Sequence, residues 1–80
     1  MNYFKTLNGA IHEVENYTQQ KGYKILFPDH FWVEHLYPGN TSKYSFPIKI
    51  LKTGNIAKKW IHFQIYRMDS GSYELNYYLN

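Results

Sequence analysis

Cysteine is absent from this chain, which rules out a disulfide framework and any zinc site built on thiolates. No apolar run approaches the ~18 residues that a membrane-spanning helix needs, and Met1 to Ala10 lacks the apolar centre of a signal peptide. Nucleophile elbows, P-loops and dinucleotide fingerprints are missing too. These absences predict a chain that is not an enzyme, holds no cofactor and meets no membrane. A secreted domain of this size usually carries disulfides, so a cytoplasmic setting is expected. Arginine occurs once, at Arg67, against eight lysines.

What is present is aromatic. Phe, Trp and Tyr make up 20% of the 80 residues, a length that predicts one domain, 1–80. A domain this small has little core to spare, and large rings supply part of it. The formal net charge of +3 permits an anionic partner without requiring one. Abundant Lys, Asn, Tyr and Ile beside a single Arg is also what A/T-rich codons produce, a rival origin for the rings and lysines.

The pattern reads as α+β: one N-terminal helix packed on an antiparallel β-sheet of three to five strands. Residues 3 to 20 place Phe4, Leu7, Ile11, Val14 and Thr18 at helical spacing, and Lys21-Gly22 ends that run. Tyr23 to Phe27 reads as a short strand stopped by Pro28-Asp29. Phe31 to Tyr37 reads as a second strand or as a helical turn. Lys43 to Leu51 alternates, with Tyr44, Phe46, Ile48 and Ile50 on one side. Pro47 has no amide hydrogen, so the strand there is at an edge or bulged.

Residues 60 to 79 carry the sharpest signal, two alternating runs joined by Asp69-Ser70-Gly71. A two-residue turn would put the apolar residues of the two runs on opposite faces. A three-residue loop with Gly71 in the left-handed position shifts the register by one. Ile61, Phe63 and Ile65 then oppose Leu79, Tyr77 and Leu75, giving a single apolar face. By extension, Ile48 and Ile50 are expected beside Phe63 and Ile61, across a wide loop from Lys52 to Lys59.

The other face of this hairpin bears Trp60, His62, Gln64, Tyr66, Glu74, Asn76 and Tyr78. The same register predicts rows of Lys49, His62 and Tyr78, then Pro47, Gln64 and Asn76, then Ser45, Tyr66 and Glu74, with Trp60 near Leu51. The first reading is a surface for protein–protein contact, with a second copy or a host protein, because Trp and Tyr concentrate at interfaces. The alternative is single-stranded nucleic acid, whose bases stack on rings while Lys43, Lys49, Lys52, Lys58 and Lys59 follow phosphates. The plain reading is a solvated sheet face with cross-strand pairs such as His62 with Tyr78. The outer edge of the last strand, Tyr77-Tyr78-Leu79, offers strand addition as a further route.

His30 and His35, with Asp29 and Glu34 nearby, make a weak metal motif. Five residues apart, the imidazoles diverge by 140° on a helix and take opposite faces of a strand, so no metal site is expected. Two segments, Tyr44-Ser45-Phe46-Pro47-Ile48 and Ile65 to Leu75, resemble small proteins of the crAss-like phages that infect gut Bacteroidales. The resemblance covers roughly the C-terminal half. It implies a phage-encoded protein in a bacterial cytoplasm and assigns no site residues.

Overall fold

A computed structural model describes residues 2–29, 31 and 36–80. In chain order the elements are β1 (Asn2–Phe4), α1 (Leu7–Gln20), β2 (Tyr23–Ile25), β3 (Thr41–Ile50), β4 (Ile56–Arg67) and β5 (Tyr73–Leu79). The strands form one sheet of order β1-β5-β4-β3-β2, with every neighbouring pair antiparallel. This is the expected α+β fold, with five strands.

The helix starts later than its spacing suggested. Thr6 is the N-cap, with extended φ and ψ, and its Oγ1 accepts a hydrogen bond from the Gly9 amide at 3.0 Å. The three residues Asn2–Phe4 instead pair with Leu75 to Tyr73 on the free edge of β5. Phe4 fits the helical stripe by spacing, yet a strand satisfies its backbone against an edge that would otherwise be open. A Cβ on Gly9 would meet Thr6 Oγ1 at 3.2 Å and the Phe4 ring at 3.6 Å, so the turn from β1 into α1 packs closely there. Ala10, Val14 and Thr18 are buried, and the Thr18 hydroxyl donates to the Val14 carbonyl at 2.8 Å, which satisfies it. Lys21 and Gly22, the latter at φ +91°, end the helix as expected.

The β4–β5 hairpin has the expected register. Ile61, Phe63 and Ile65 pair with Leu79, Tyr77 and Leu75, and Gly71 takes φ +93°. The Met68 amide donates to the Ser72 carbonyl at 2.8 Å across the loop. Pro47 is accommodated by the bulge alternative: the β3–β4 register shifts between Pro47 and Lys49. β3 is not an edge there, since the Pro47 carbonyl accepts from the Leu26 amide at 3.0 Å.

The β3–β4 pairing corrects the expected one by four residues. Phe63 opposes Tyr44 and Ile61 opposes Phe46, not Ile48 and Ile50. The wide loop is a tight turn instead. The Ile50 amide donates to the Asn55 carbonyl and the Gly54 amide to the Ile50 carbonyl, both at 2.7 Å, and β4 begins at Ile56. β2 is also shorter than expected, ending at Ile25. Of the expected Phe31–Tyr37 strand, Trp32 to His35 lie outside the described residues, and Phe31, Leu36 and Tyr37 belong to no strand.

The core lies between α1 and one sheet face, where Ala10 and Val14 meet Ile25, Ile48, Ile61, Ile65 and Leu75. The helix is about 21 Å long at 1.5 Å per residue, while β4 extends about 40 Å; the molecule's longest dimension is 42 Å. A second cluster covers sheet that the short helix leaves bare. Phe27 stacks on Phe31 at 4.8 Å, and both rings meet Phe46 edge-on at 5.3 and 4.9 Å. The lone arginine ties this end together: an Arg67 guanidinium nitrogen donates to the Leu36 carbonyl at 2.9 Å, and the group lies 5.4 Å from the Tyr73 ring centroid.

Ile65 is fully buried, so Ile65→Ala is expected to remove about 2–5 kcal/mol of unfolding free energy in urea titration. Thr6→Ala is expected to cost about 1 kcal/mol in the same assay through loss of the cap; an unchanged midpoint would show that the cap contributes nothing.

Candidate functional site

Side chains alternate along a strand, so every residue that buries Ile61, Phe63 and Ile65 against the helix turns its neighbours to the opposite face. The pairings set out that face row by row. Tyr3, Glu74, Tyr66 and Thr41 form the first row, then Asn76, Gln64 and Lys43, then Tyr78, His62 and Ser45. Trp60 and Pro47 follow, and Ile56, Lys49 and Lys24 make the last row. Several of these groups are well exposed: Ile56 at 70%, Tyr78 at 57% and Trp60 at 45%.

The four-residue register difference rearranges the expected rows. Ser45, not Lys49, stands beside His62 and Tyr78; Lys43, not Pro47, stands beside Gln64 and Asn76; Thr41, not Ser45, stands beside Tyr66 and Glu74. Trp60 opposes Pro47 rather than approaching Leu51. Lys43 thereby moves to the middle of the face, and Lys49 moves out past Trp60. The remaining lysines of the expected track separate. Lys52 sits in the β3–β4 turn, and Lys58 and Lys59 fall with Ala57 in the irregular stretch of β4 between the Ile56–Lys49 and Trp60–Pro47 pairs.

The centre of the face is ordered by two contacts. The Ser45 hydroxyl and His62 Nδ1 share a hydrogen bond of 2.8 Å, and the imidazole stacks on the Tyr78 ring with centroids 4.8 Å apart and planes 22° apart. Beside them Lys43, Gln64 and Asn76 help to line an open groove of about 350 Å³. Asn76 Nδ2 donates to Glu74 Oε1 at 3.4 Å, a long and weak bond. Lys24, Lys43 and Lys49 face Glu74 alone among acids in these rows. The outer edge of β5, considered above for strand addition, is taken up from Tyr73 to Leu75 by β1.

Four residues of the face were not legible beforehand. Thr41 precedes the expected start of its strand at Lys43. Lys24 alternates with core residues in β2, a visible signal, but its row needs the β2–β3 register. Ile56 was hidden by the expected wide loop. Tyr3 was hidden by the helical spacing of Phe4.

Among the described residues no group of three or more His, Asp or Glu is placed to hold a metal; His30, Glu34 and His35 lie outside them. No described helix is long and apolar enough to cross a membrane. No known protein family, curated protein or solved structure matches the chain.

The His62–Tyr78 pair lies on the surface, so its worth to the fold is small. Tyr78→Ala is expected to lower unfolding free energy by only about 0.5–1.5 kcal/mol in urea titration. A loss several-fold larger would mean that Tyr78 supports the core rather than the surface.

Proposed function

We propose that this chain is a binding module rather than an enzyme, and that its open sheet face contacts single-stranded nucleic acid. The observation that carries this reading is the company the rings keep: Trp60, His62, Tyr66 and Tyr78 share one face with Lys24, Lys43 and Lys49, while Glu74 is the only acid in the rows. Rings accept bases of any sequence on their faces, and lysines track the phosphates. Alternate residues on a strand are about 6.8 Å apart, twice the 3.4 Å rise of stacked bases, so the face suits splayed bases rather than a duplex.

Protein–protein contact, with a second copy or another protein, is the second reading. The apolar exposure of Ile56, Trp60 and Tyr78 favours it. The lysines weigh against pairing with a second copy, because like charges would be brought together unless the copies interleave them.

Fluorescence anisotropy with labelled single-stranded and duplex oligonucleotides separates the two. If Lys24, Lys43 and Lys49 each neutralise one phosphate, raising salt from about 50 to about 200 mM should weaken single-strand binding by about 20-fold. The double reversal Lys43→Glu and Lys49→Glu should abolish binding. No binding at tens of micromolar, near the weak end of non-specific affinity, would overturn the nucleic-acid reading. A dimer mass in sedimentation that survives the double reversal and is lost in Trp60→Ala would favour the protein interface.

A further inference from the structure

We propose that the outer edge of β2, with the groove between it and α1, is a docking site for an extended peptide of another protein. The peptide adds as a further antiparallel strand, with apolar side chains on alternate residues and an acidic one between them. The site stands apart from the nucleic-acid reading, and only Lys24 is common to both.

β2 ends the sheet, and its register with β3 decides which backbone groups are already used. The Gly22 carbonyl accepts from the Leu51 amide, and the Leu26 amide donates to the Pro47 carbonyl, both at 3.0 Å. Gly22, Lys24 and Leu26 therefore bond toward β3, while the amides and carbonyls of Tyr23 and Ile25 point away from it. No other described residue bonds to these outward groups. They recur about every 6.8 Å, the spacing that an incoming strand requires. Ile25 is only 6% exposed, so its outward amide and carbonyl are poorly placed for bulk water and gain from a strand partner. Every pair already in the sheet is antiparallel, and the added strand continues that pattern.

The side chains of such a strand have a place to go. Alternate residues face a groove of about 260 Å³ between Glu15 and Gln19 of α1 and Tyr23, Ile25 and Phe27. A second groove of about 400 Å³ shares Glu15 and Phe27 and continues along the helix to Ile11 and Leu7. From Leu7 to Gln19 the helix rises about 18 Å, the length of about five to six extended residues. The rings and aliphatic carbons along it suit apolar side chains.

The residues between them lie beside Lys24. Lys24 pairs directly with Lys49, a like-charge contact that costs stability and that a carboxylate on the added strand would offset. A second copy of this chain fits less well. The antiparallel register that uses both Tyr23 and Ile25 would set the two copies of Lys24 face to face, between two copies of Lys49.

The probe is a fluorescein-labelled seven-residue peptide of alternating valine and glutamate, capped at both ends. In anisotropy it should bind saturably below about 1 mM, and it should slow amide hydrogen exchange at Tyr23 and Ile25. Methylating the amide nitrogens of two valines, which face β2, should weaken binding about 5- to 150-fold, the worth of two hydrogen bonds. Methylating two glutamates, whose amides point away, should matter much less. Lysine in place of glutamate should weaken binding, and Lys24→Glu should invert that preference. Gln19→Trp, at an exposed helix position, should block the groove while circular dichroism stays unchanged. Failure of the valine–glutamate peptide to bind, or equal loss from either methylation, would overturn strand addition at β2. Equal affinity for the lysine peptide would overturn the acidic requirement. A dimer in sedimentation that is lost in Gln19→Trp would put a second copy in the groove instead of the peptide.

Discussion

Between Met68 and Ser72 the chain reverses through a loop in which Gly71 takes φ +93°, and this left-handed residue decides which sides of β4 and β5 meet the helix. A loop one residue shorter would turn Leu75 and Leu79 toward His62 and Gln64, dividing the apolar residues between two faces. With three residues in the loop, Ile61, Phe63, Ile65, Tyr73 and Leu75 are all buried on one side. The opposite side is then left with rings, amides and a carboxylate. Core and open face are thus two results of one backbone choice.

Coverage is the second constraint. A 14-residue helix cannot shelter strands of ten and twelve residues, so the chain spends Phe27 and Phe31 on the region around Tyr44 and Phe46. Arg67 fastens the nearby backbone, bonding through its side chain to Leu36 and through its main chain to Gly39 and Asn40. With helix and aromatic cluster both committed to one face, nothing among the described residues is available to cover the other. On that face the polar groups brace one another, as in the Ser45–His62–Tyr78 series, in place of being sheltered.

The charge of the open face follows from register rather than from clustering in the sequence. Lys24, Lys43 and Lys49 come from two strands and are separated by many residues, yet the pairings set all three on the side that bears Trp60, His62 and Tyr78. Lys58 and Lys59, close to Trp60 in sequence, both fall in the stretch where β4 loses register with β3, so the pairings assign them to no row. The proposed contact with single-stranded nucleic acid depends on this arrangement.

Local chemistry was enough to read several parts of this fold in advance: the stripe Leu7, Ile11, Val14 and Thr18, the stop at Lys21-Gly22, the need for an edge or a bulge at Pro47 and the whole β4–β5 register. In each case the deciding residues lie within one element or one short loop. The β3–β4 register was not readable that way. Alternation has a period of two, so a shift of four leaves every residue on its expected face, and only the turn closed by Ile50, Gly54 and Asn55 separates the alternatives. The strand Asn2–Phe4 was hidden for a related reason. Three residues carry too little pattern to outweigh the helical spacing of Phe4, and their partner is an edge some seventy residues away. The rings that β4 and β5 place on the open face were therefore legible from residues 60 to 79, whereas Tyr3, Lys43 in place of Pro47 and Ser45 in place of Lys49 were set by long-range pairing that no local signal encodes.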